Sequence, residues 1–146
     1  MSQTAELEWP EQARALIERS RVARLASVDD KSRPHIVPIC FVLVSDKLYT
    51  IVDDKPKSRD LPLRRLVNIQ ANPNVSVIVD HYEDDWNALE YLQLRGQAGL
   101  VSDGAVFLTV RAALRQKYDP YRSMNLRLQA HPLIEITIER LHYWHA

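Results

Sequence analysis

Apolar and polar residues alternate with a period of two in several stretches of the chain, as in β-strands with one buried face. A run of apolar, β-branched residues contains Pro38, which cannot donate a ladder hydrogen bond and therefore predicts an edge strand or a bulge. The residues after it turn at Ser45 and Asp46 and return as a hairpin partner. The pattern predicts six strands, at residues 22–28, 35–44, 47–53, 75–82, 89–101 and 134–144.

Three further segments have helical spacing or helix-end signals. Pro10 and Glu11 suit the first turn of a helix, and apolar residues recur at helical spacing over 61–72 until Pro73 ends the pattern. Asp103 offers an N-cap for a helix over 103–118. Short connections between so many strands favour an antiparallel sheet curled into a barrel, with helices outside it. We therefore predict one mainly β (α+β) domain over residues 1–146.

Composition narrows the functional classes. The 146 residues contain 19 Lys and Arg against 19 Asp and Glu, which is not the charge of a nucleic-acid-binding domain. Cys40 is the single cysteine, so no intrachain disulfide can form. No apolar run approaches the length of a membrane span, and the acidic N-terminus lacks a signal-peptide core. These features predict a cytoplasmic protein with neither a membrane nor a nucleic acid as partner. The histidine spacings match no zinc pattern, so no metal site is predicted.

Positive charge is concentrated around the start of the predicted 61–72 helix, although the chain is neutral as a whole. The cluster contains Lys55, Lys57, Arg59, Arg64 and Arg65, together with Ser58. Cations at a helix N-terminus oppose the helix dipole, a local cost that a bound anion would offset. A solvated basic surface is the other interpretation, and the pattern alone leaves both open.

Several stretches together resemble one known superfamily. The string RRLVNIQANP is similar to the phosphate-binding segment of the pyridoxamine-5′-phosphate-oxidase-like, flavin-binding split barrels. VARLASVDDKSRPHIVPICF resembles the first hairpin of those proteins. KLYTIVDDKPK, LRQKYDPY and the closing IERLHYWHA are similar to a subgroup of deazaflavin-dependent (coenzyme F-420) members. The resemblance covers nearly the whole chain.

The resemblance implies a six-stranded antiparallel split barrel that forms a homodimer, with cofactor sites between the subunits. Arg64 and Arg65 match the Arg-Lys pair that contacts the cofactor phosphate, with Arg in place of Lys at the second position. The resemblance also implies that backbone amides at 37 to 39 hydrogen-bond the polar edge of the ring. The implied cofactor-binding residues are Ile36, Val37, Pro38, Ile39, Tyr49, Thr50, Lys55, Lys57, Ser58, Arg64 and Arg65.

Two features of the true pyridoxamine-phosphate oxidases are missing, namely an Arg ahead of Ile36 and the C-terminal substrate-binding Arg motif, so oxidation of vitamin B6 is not expected. The resemblance instead implies an oxidoreductase that transfers a hydride between a flavin-type cofactor and an unsaturated small molecule. F-420 is favoured over FMN because Lys55 and Lys57 could bind its polyanionic tail. The alternative is a split barrel that binds a flavin or another anion without turnover. No proton donor is identified, and Tyr49, Tyr82 and His81 are candidates only.

Overall fold

Residues 7–53 and 63–146 are described by the computed structural model of the chain, in which the strands form one antiparallel sheet. The expected mainly β architecture with flanking helices is confirmed, but the sheet has seven strands where six were predicted. The strands are β1 (Ala23–Val28), β2 (Pro34–Ile39), β3 (Val42–Val44), β4 (Lys47–Ile51), β5 (Asn74–His81), β6 (Glu90–Leu100) and β7 (Leu133–His145).

The additional strand arises because the predicted strand 35–44 is divided at Cys40 and Phe41 into β2 and β3. The sheet order is β2-β1-β5-β6-β7-β4-β3, so these two strands form its opposite edges. A link of two residues is too short to span a flat sheet of this width, so the sheet curls until its two edge strands come together at this link, with no ladder between them. The edge position inferred from Pro38 is confirmed.

Three α-helices accompany the sheet, α1 (Glu11–Arg19), α2 (Arg64–Ala71) and α3 (Gly104–Lys117). Asp103 caps α3 as predicted, since its Oδ1 accepts hydrogen bonds from the N–H groups of Ala105 at 2.8 Å and Val106 at 3.4 Å. Short 3₁₀ helices at Trp86–Ala88 and Asp119–Ser123 lie in segments predicted to be irregular. Even α3, the longest helix within the described residues, falls short of the length and apolarity that crossing a bilayer requires.

Two groups of buried side chains hold these layers together. Leu16 and Ile17 of α1 pack on the concave side of the sheet against strand residues such as Leu92. Phe107 and Leu114 of α3 belong to the second group, which lies outside β3 and β4. Each buried side chain of this size contributes roughly 1.5–3 kcal/mol, so both helices are fixed firmly to the sheet.

The short helix α2 is positioned partly by a polar contact. Val67 is one of the apolar residues that recur at helical spacing in this segment, but it is 38% exposed, whereas the neighbouring Asn68 is buried. The amide nitrogen Nδ2 of Asn68 donates a hydrogen bond to Ser27 Oγ of β1 at 3.0 Å. This contact fixes the rotation of α2 about its axis, and with it the direction in which Arg65 points.

Candidate functional site

A cleft of about 340 Å³ lies where β2, β4, the start of α2 and the segment after α3 meet. Four of the predicted site residues line it, namely Pro38, Ile39, Thr50 and Arg65. They come from three separate elements, so the fold brings together residues that are up to 27 positions apart in the chain (65 − 38 = 27). The other lining residues are Val22, Cys40, Ile51, Asp53, Leu63 and Tyr121.

Tyr49 and Thr50 were both predicted to lie near the phosphate, but consecutive strand residues point to opposite faces. Thr50 faces the cleft, and its hydroxyl donates a hydrogen bond to the carbonyl oxygen of Cys40 at 2.8 Å. Tyr49 faces the second core, where its hydroxyl donates to Glu135 at 2.8 Å. Burial and this carboxylate raise the pKa of Tyr49 to about 12. The Tyr49 side chain therefore does not line the cleft, and its assignment stays a prediction.

The backbone of β2 offers one outward-facing donor at the sheet edge. Pro34 and Pro38 lack an N–H group, so both must occupy the non-hydrogen-bonded positions of the β1–β2 pair. Ile36 is two residues from each proline and therefore also occupies a non-hydrogen-bonded position. Its N–H and C=O groups point away from β1. The amides of Val37 and Ile39 point toward β1, which differs from the expectation for the amides at 37 to 39. A ligand at this edge would meet the Ile36 amide.

Arg65 is the cation of the cleft, and its guanidinium is only partly satisfied. Its Nε atom is buried and has no hydrogen-bond partner among the described residues. Burial lowers the pKa of Arg65, while the nearby Asp53 and Tyr121 act in the opposite direction. Arg64, the other half of the predicted pair, is exposed and does not line the cleft. Among the described residues, Arg65 therefore leaves one buried N–H donor without an acceptor beside this partly enclosed space.

Two residues that the sequence did not single out complete the polar wall. The Tyr121 hydroxyl donates a hydrogen bond to Asp53 Oδ2 at 2.9 Å, and Asp53 is only 8% exposed. Burial, followed by this hydrogen bond, raises the pKa of Tyr121 far above its ordinary value, so the hydroxyl remains a donor. Tyr121 lies within LRQKYDPY and Asp53 within KLYTIVDDKPK, so the motifs held the signal without indicating a role.

Other predicted residues are not brought to the cleft. Lys55, Lys57 and Ser58 lie outside the described residues, and their assignments stay predictions. Tyr82 is 65% exposed and donates to Asp84 at 3.2 Å. His81 contacts Glu83, with 2.8 Å between Nε2 and Oε1. Neither residue lines the cleft, so neither is placed to transfer a proton there.

The arrangement can hold an oxyanion beside an apolar surface. Arg65 supplies charge and a free donor, and α2 adds the positive end of its dipole because Leu63, at the N-cap, gives no side-chain cap. Ile39 and Ile51 supply apolar walls. Asp53 neutralises part of the charge on Arg65, so an anion must replace some of the interaction between these two residues.

Comparison with known proteins agrees with this geometry. The family model described as pyridoxamine 5′-phosphate oxidase matches residues 9–145 of the chain. No curated protein matches the chain by sequence. The predicted resemblance to this superfamily is confirmed, whereas the F-420 subgroup is not specifically supported.

Several solved structures share the fold. The conserved hypothetical protein Rv2991 of Mycobacterium tuberculosis is 18% identical with a TM-score of 0.73, and the match covers 99% of this chain and 90% of that one. A FAD-binding protein of Mesorhizobium loti is 20% identical, with a TM-score of 0.67 and coverages of 90% and 89%. HutZ, the heme storage protein of Vibrio cholerae, is 18% identical, with a TM-score of 0.68 and 92% coverage of both chains. At such identities the likeness shows the fold alone.

Proposed function

The chain belongs to the pyridoxamine 5′-phosphate oxidase family, and we propose that it is a small oxidoreductase dependent on a flavin-type cofactor. When bound, such a cofactor would supply the hydride chemistry. The hydride would pass between the cofactor ring and an unsaturated organic substrate held over it. The residues of this chain have the tasks of binding the cofactor, orienting it and excluding water.

The observation that carries this proposal is the cleft itself. Arg65, Thr50 and the end of β2 were predicted as cofactor contacts from separate parts of the sequence, and all of them line one cavity. The buried Nε of Arg65 has no acceptor among the described residues, which is uncommon for a buried polar atom. A phosphate group is an acceptor of the required charge and geometry.

Each wall of the cleft has a task in this proposal. Arg65 binds the phosphate, and the hydrogen-bonded pair of Asp53 and Tyr121 limits the positions that its guanidinium can adopt. The outward Ile36 amide at the edge of β2 donates to the polar edge of the ring. Ile39 lines the adjacent wall and keeps water from the ring face.

We favour F-420 over FMN because Lys55 and Lys57 would meet a polyanionic tail that FMN lacks. Equilibrium titration of the purified full chain with each cofactor, followed by absorbance or fluorescence, tests this choice. Tighter binding of FMN than of F-420 would overturn it. Repeating the titration at raised salt sharpens the result, because binding through a tail with several charges should weaken more steeply than binding through one phosphate.

Arg65→Ala tests the proposed phosphate contact, and Arg64→Ala is a matched control one residue away. We expect Arg65→Ala to weaken cofactor binding about 30-fold, as losing about 2 kcal/mol of hydrogen bonding to a charged group would do. Arg64→Ala should weaken it by a much smaller factor, because Arg64 is exposed and outside the cleft. Unchanged affinity in Arg65→Ala, with folding verified by circular dichroism, would refute the proposal.

A non-catalytic binding protein is the second candidate, and one observation favours it. Among the described residues, the two side-chain hydroxyls that line the cleft already have acceptors for their protons, since Thr50 donates to the Cys40 carbonyl oxygen and Tyr121 donates to Asp53. Stopped-flow mixing of the chemically reduced complex with a panel of activated alkenes, quinones and nitroaromatics distinguishes the two. Reoxidation by at least one acceptor supports an enzyme, and no reoxidation by any of them supports a binding protein.

The proposal includes a homodimer with a cofactor site at each subunit contact. The Ile36 side chain at the open edge of β2 is 63% exposed, and that of Trp144 is 42% exposed. The Trp144 ring also stacks on that of Tyr91, with 5.7 Å between their centroids, and exposed aromatic groups of this kind suit a surface that meets a partner. Sedimentation equilibrium with and without cofactor tests this part, and a monomer at every concentration would exclude it.

A further inference from the structure

The convex face of the sheet carries a charged feature that the cofactor cleft does not use. The outward positions of β1, β5 and β6 include Arg24, Ser76 and Arg95, whereas α1 packs with the buried positions of the same strands, such as Leu25, Val77 and Leu94. Arg95 of β6 lies directly across the ladder from Arg140 of β7. Like charges in such a pair normally destabilise an antiparallel sheet.

A β-bulge at this point directs both arginines to the same side. The register shifts between Arg95 and Gly96, so that Glu139 is the extra residue of β7. The strands approach so closely here that a Cβ on Gly96 would clash with the carbonyl oxygen of Thr137. The close approach requires glycine, and it holds the two arginines in a fixed register.

Within residues 7–53 and 63–146, neither arginine forms an ion pair. Glu139 is adjacent but forms none with either of them. Arg24 on the same face differs, because its guanidinium lies 3.4 Å from Asp80. The like-charged pair is therefore retained without a counter-ion on a rigid part of the sheet, and such a local conflict is typical of binding sites.

The pair lies between two hollows. One, of about 360 Å³, extends from the arginines over Ala26, Val28 and Pro34, which give it an apolar floor. The other, of about 400 Å³, extends from the same arginines toward Gln93 and His142. Two guanidiniums at the end of an apolar hollow match a molecule with an anionic head and an apolar body.

We propose that Arg95 and Arg140 bind the carboxylate or phosphate group of a small organic anion whose apolar body lies over Ala26, Val28 and Pro34. Each planar guanidinium can offer two parallel N–H donors to such a group. The site is separate from the Arg65 cleft, and the proposal does not depend on the identity of the cofactor. If a second copy of the chain covers this face, the arginines lose water and need the anion more strongly.

Isothermal titration of the cofactor-free full chain at fixed ionic strength tests the site. The probes are acetate, hexanoate and octanoate for the carboxylate, and phenyl phosphate with inorganic phosphate for the phosphate. We expect affinity to rise with chain length, by about fourfold for each CH₂ group that becomes buried. The tighter series identifies the head group. No saturable binding of any probe would overturn the proposal.

Variants connect the binding to the arginines. Arg95→Gln and Arg140→Gln should each weaken binding of the best probe at least tenfold, because each removes a charge-assisted fork. Arg95→Lys keeps the charge without the fork and should be intermediate. Arg24→Gln on the same face should bind as the unchanged chain does. Repeating the titrations in an Arg65→Ala background removes phosphate bound in the cleft, and the binding that depends on Arg95 and Arg140 should remain. If Arg95→Gln and Arg140→Gln both bind the probe as tightly as the unchanged chain, the binding is non-specific adsorption and the proposed site is refuted.

Discussion

The seam, where the edge strands β2 and β3 come together around Cys40 and Phe41, lies beside the cofactor cleft. The two regions differ in how their polar atoms are satisfied. In the seam, the Tyr118 hydroxyl accepts a hydrogen bond from the Phe41 N–H at 3.0 Å. The hydroxyl donates its one proton to the carbonyl oxygen of Arg21 at 2.9 Å or that of Phe41 at 3.0 Å. One side chain thus ties the end of α3 to both ends of the curled sheet.

The cleft has the opposite character. Arg65 keeps a buried Nε without a partner among the described residues, although the hydroxyl of Tyr121 and the carboxylate of Asp53 are close by. The polar atoms of Tyr118 and Phe41 in the seam are thus satisfied without a ligand, whereas the cleft has a donor that no acceptor among the described residues uses. Substitutions in the seam should therefore change stability, and those in the cleft should change ligand affinity.

The largest stability effect is expected for Tyr118→Phe. The substitution keeps the ring but leaves the buried Phe41 N–H without an acceptor, and it removes a donor from two carbonyl groups. We expect the free energy of unfolding to fall by about 2–3 kcal/mol, as measured by urea denaturation. Tyr82→Phe is the matched control, because Tyr82 is 65% exposed and should change stability little.

Cofactor titration of the same variants sharpens the contrast between seam and cleft. Tyr118→Phe should bind cofactor within a fewfold of the unchanged chain at temperatures where it remains folded. A loss of affinity in Tyr118→Phe as large as that in Arg65→Ala would show that the two regions are not separable.

Tyr121→Phe should have a smaller effect, on both the free energy of unfolding and the affinity for the cofactor. Its hydroxyl is the donor to the buried Asp53, and losing a hydrogen bond to a charged group should lower the free energy of unfolding by about 1.5 kcal/mol. Without the hydrogen bond from Tyr121, the Asp53 carboxylate should attract Arg65 more strongly and compete with the cofactor phosphate. We therefore expect affinity to fall by about threefold, since a competing interaction of this kind is worth several tenths of a kcal/mol.

The double variant Asp53→Asn/Tyr121→Phe checks the explanation for Tyr121→Phe. Asn keeps the shape of the side chain but removes the competing carboxylate, so calorimetric titration should show a smaller affinity loss than in Tyr121→Phe alone. An equal affinity loss in the two variants would instead indicate that the Tyr121 hydroxyl contacts the ligand directly.

The sequence predicted local features well, because local features depend on nearby residues. The Asp103 cap, the edge position of Pro38 and most strands followed from neighbouring side chains and backbone chemistry. The break at Cys40 could not be predicted, because those residues suit a strand and only the closing of the sheet prevents them from continuing it.

The parts of the site that the sequence did not predict depend on contacts between residues far apart in the chain. Asp53 and Tyr121 are 68 residues apart and meet only after α3 has packed on the sheet. Asn68 replaces an apolar residue in the buried face of α2 because Ser27 of β1 lies opposite it. Thr50 could be predicted from the family resemblance, and strand alternation separates it from Tyr49. Which of the two faces the cleft depends on how the strand is placed beside β7.

Lys117, at the end of α3, gives the smallest predicted effect and tests whether the seam is fully satisfied. Its Nζ lies 3.7 Å from the centre of the Phe41 ring, and within the described residues it forms no ion pair. Burial, reinforced by Arg21, lowers the pKa of Lys117 to about 8. The ammonium thus destabilises the folded state at neutral pH, and its attraction to the Phe41 ring offsets only part of that penalty.

Lys117→Met removes this charge while keeping the length of the side chain. Between pH 8 and 10.5 the unfolded chain holds a proton on Lys117 that the folded chain has lost, so stability rises with pH in this window and the penalty is complete below it. We expect Lys117→Met to be more stable by about 1 kcal/mol at pH 7, a figure discounted for partial exposure, and equal to the unchanged chain near the upper limit. Urea denaturation at both pH values measures the difference, with Lys31→Met, at an exposed turn position, as the control. If the unchanged chain is the more stable protein at pH 7, the attraction between Lys117 and the Phe41 ring outweighs desolvation, and the seam contains no unrelieved charge.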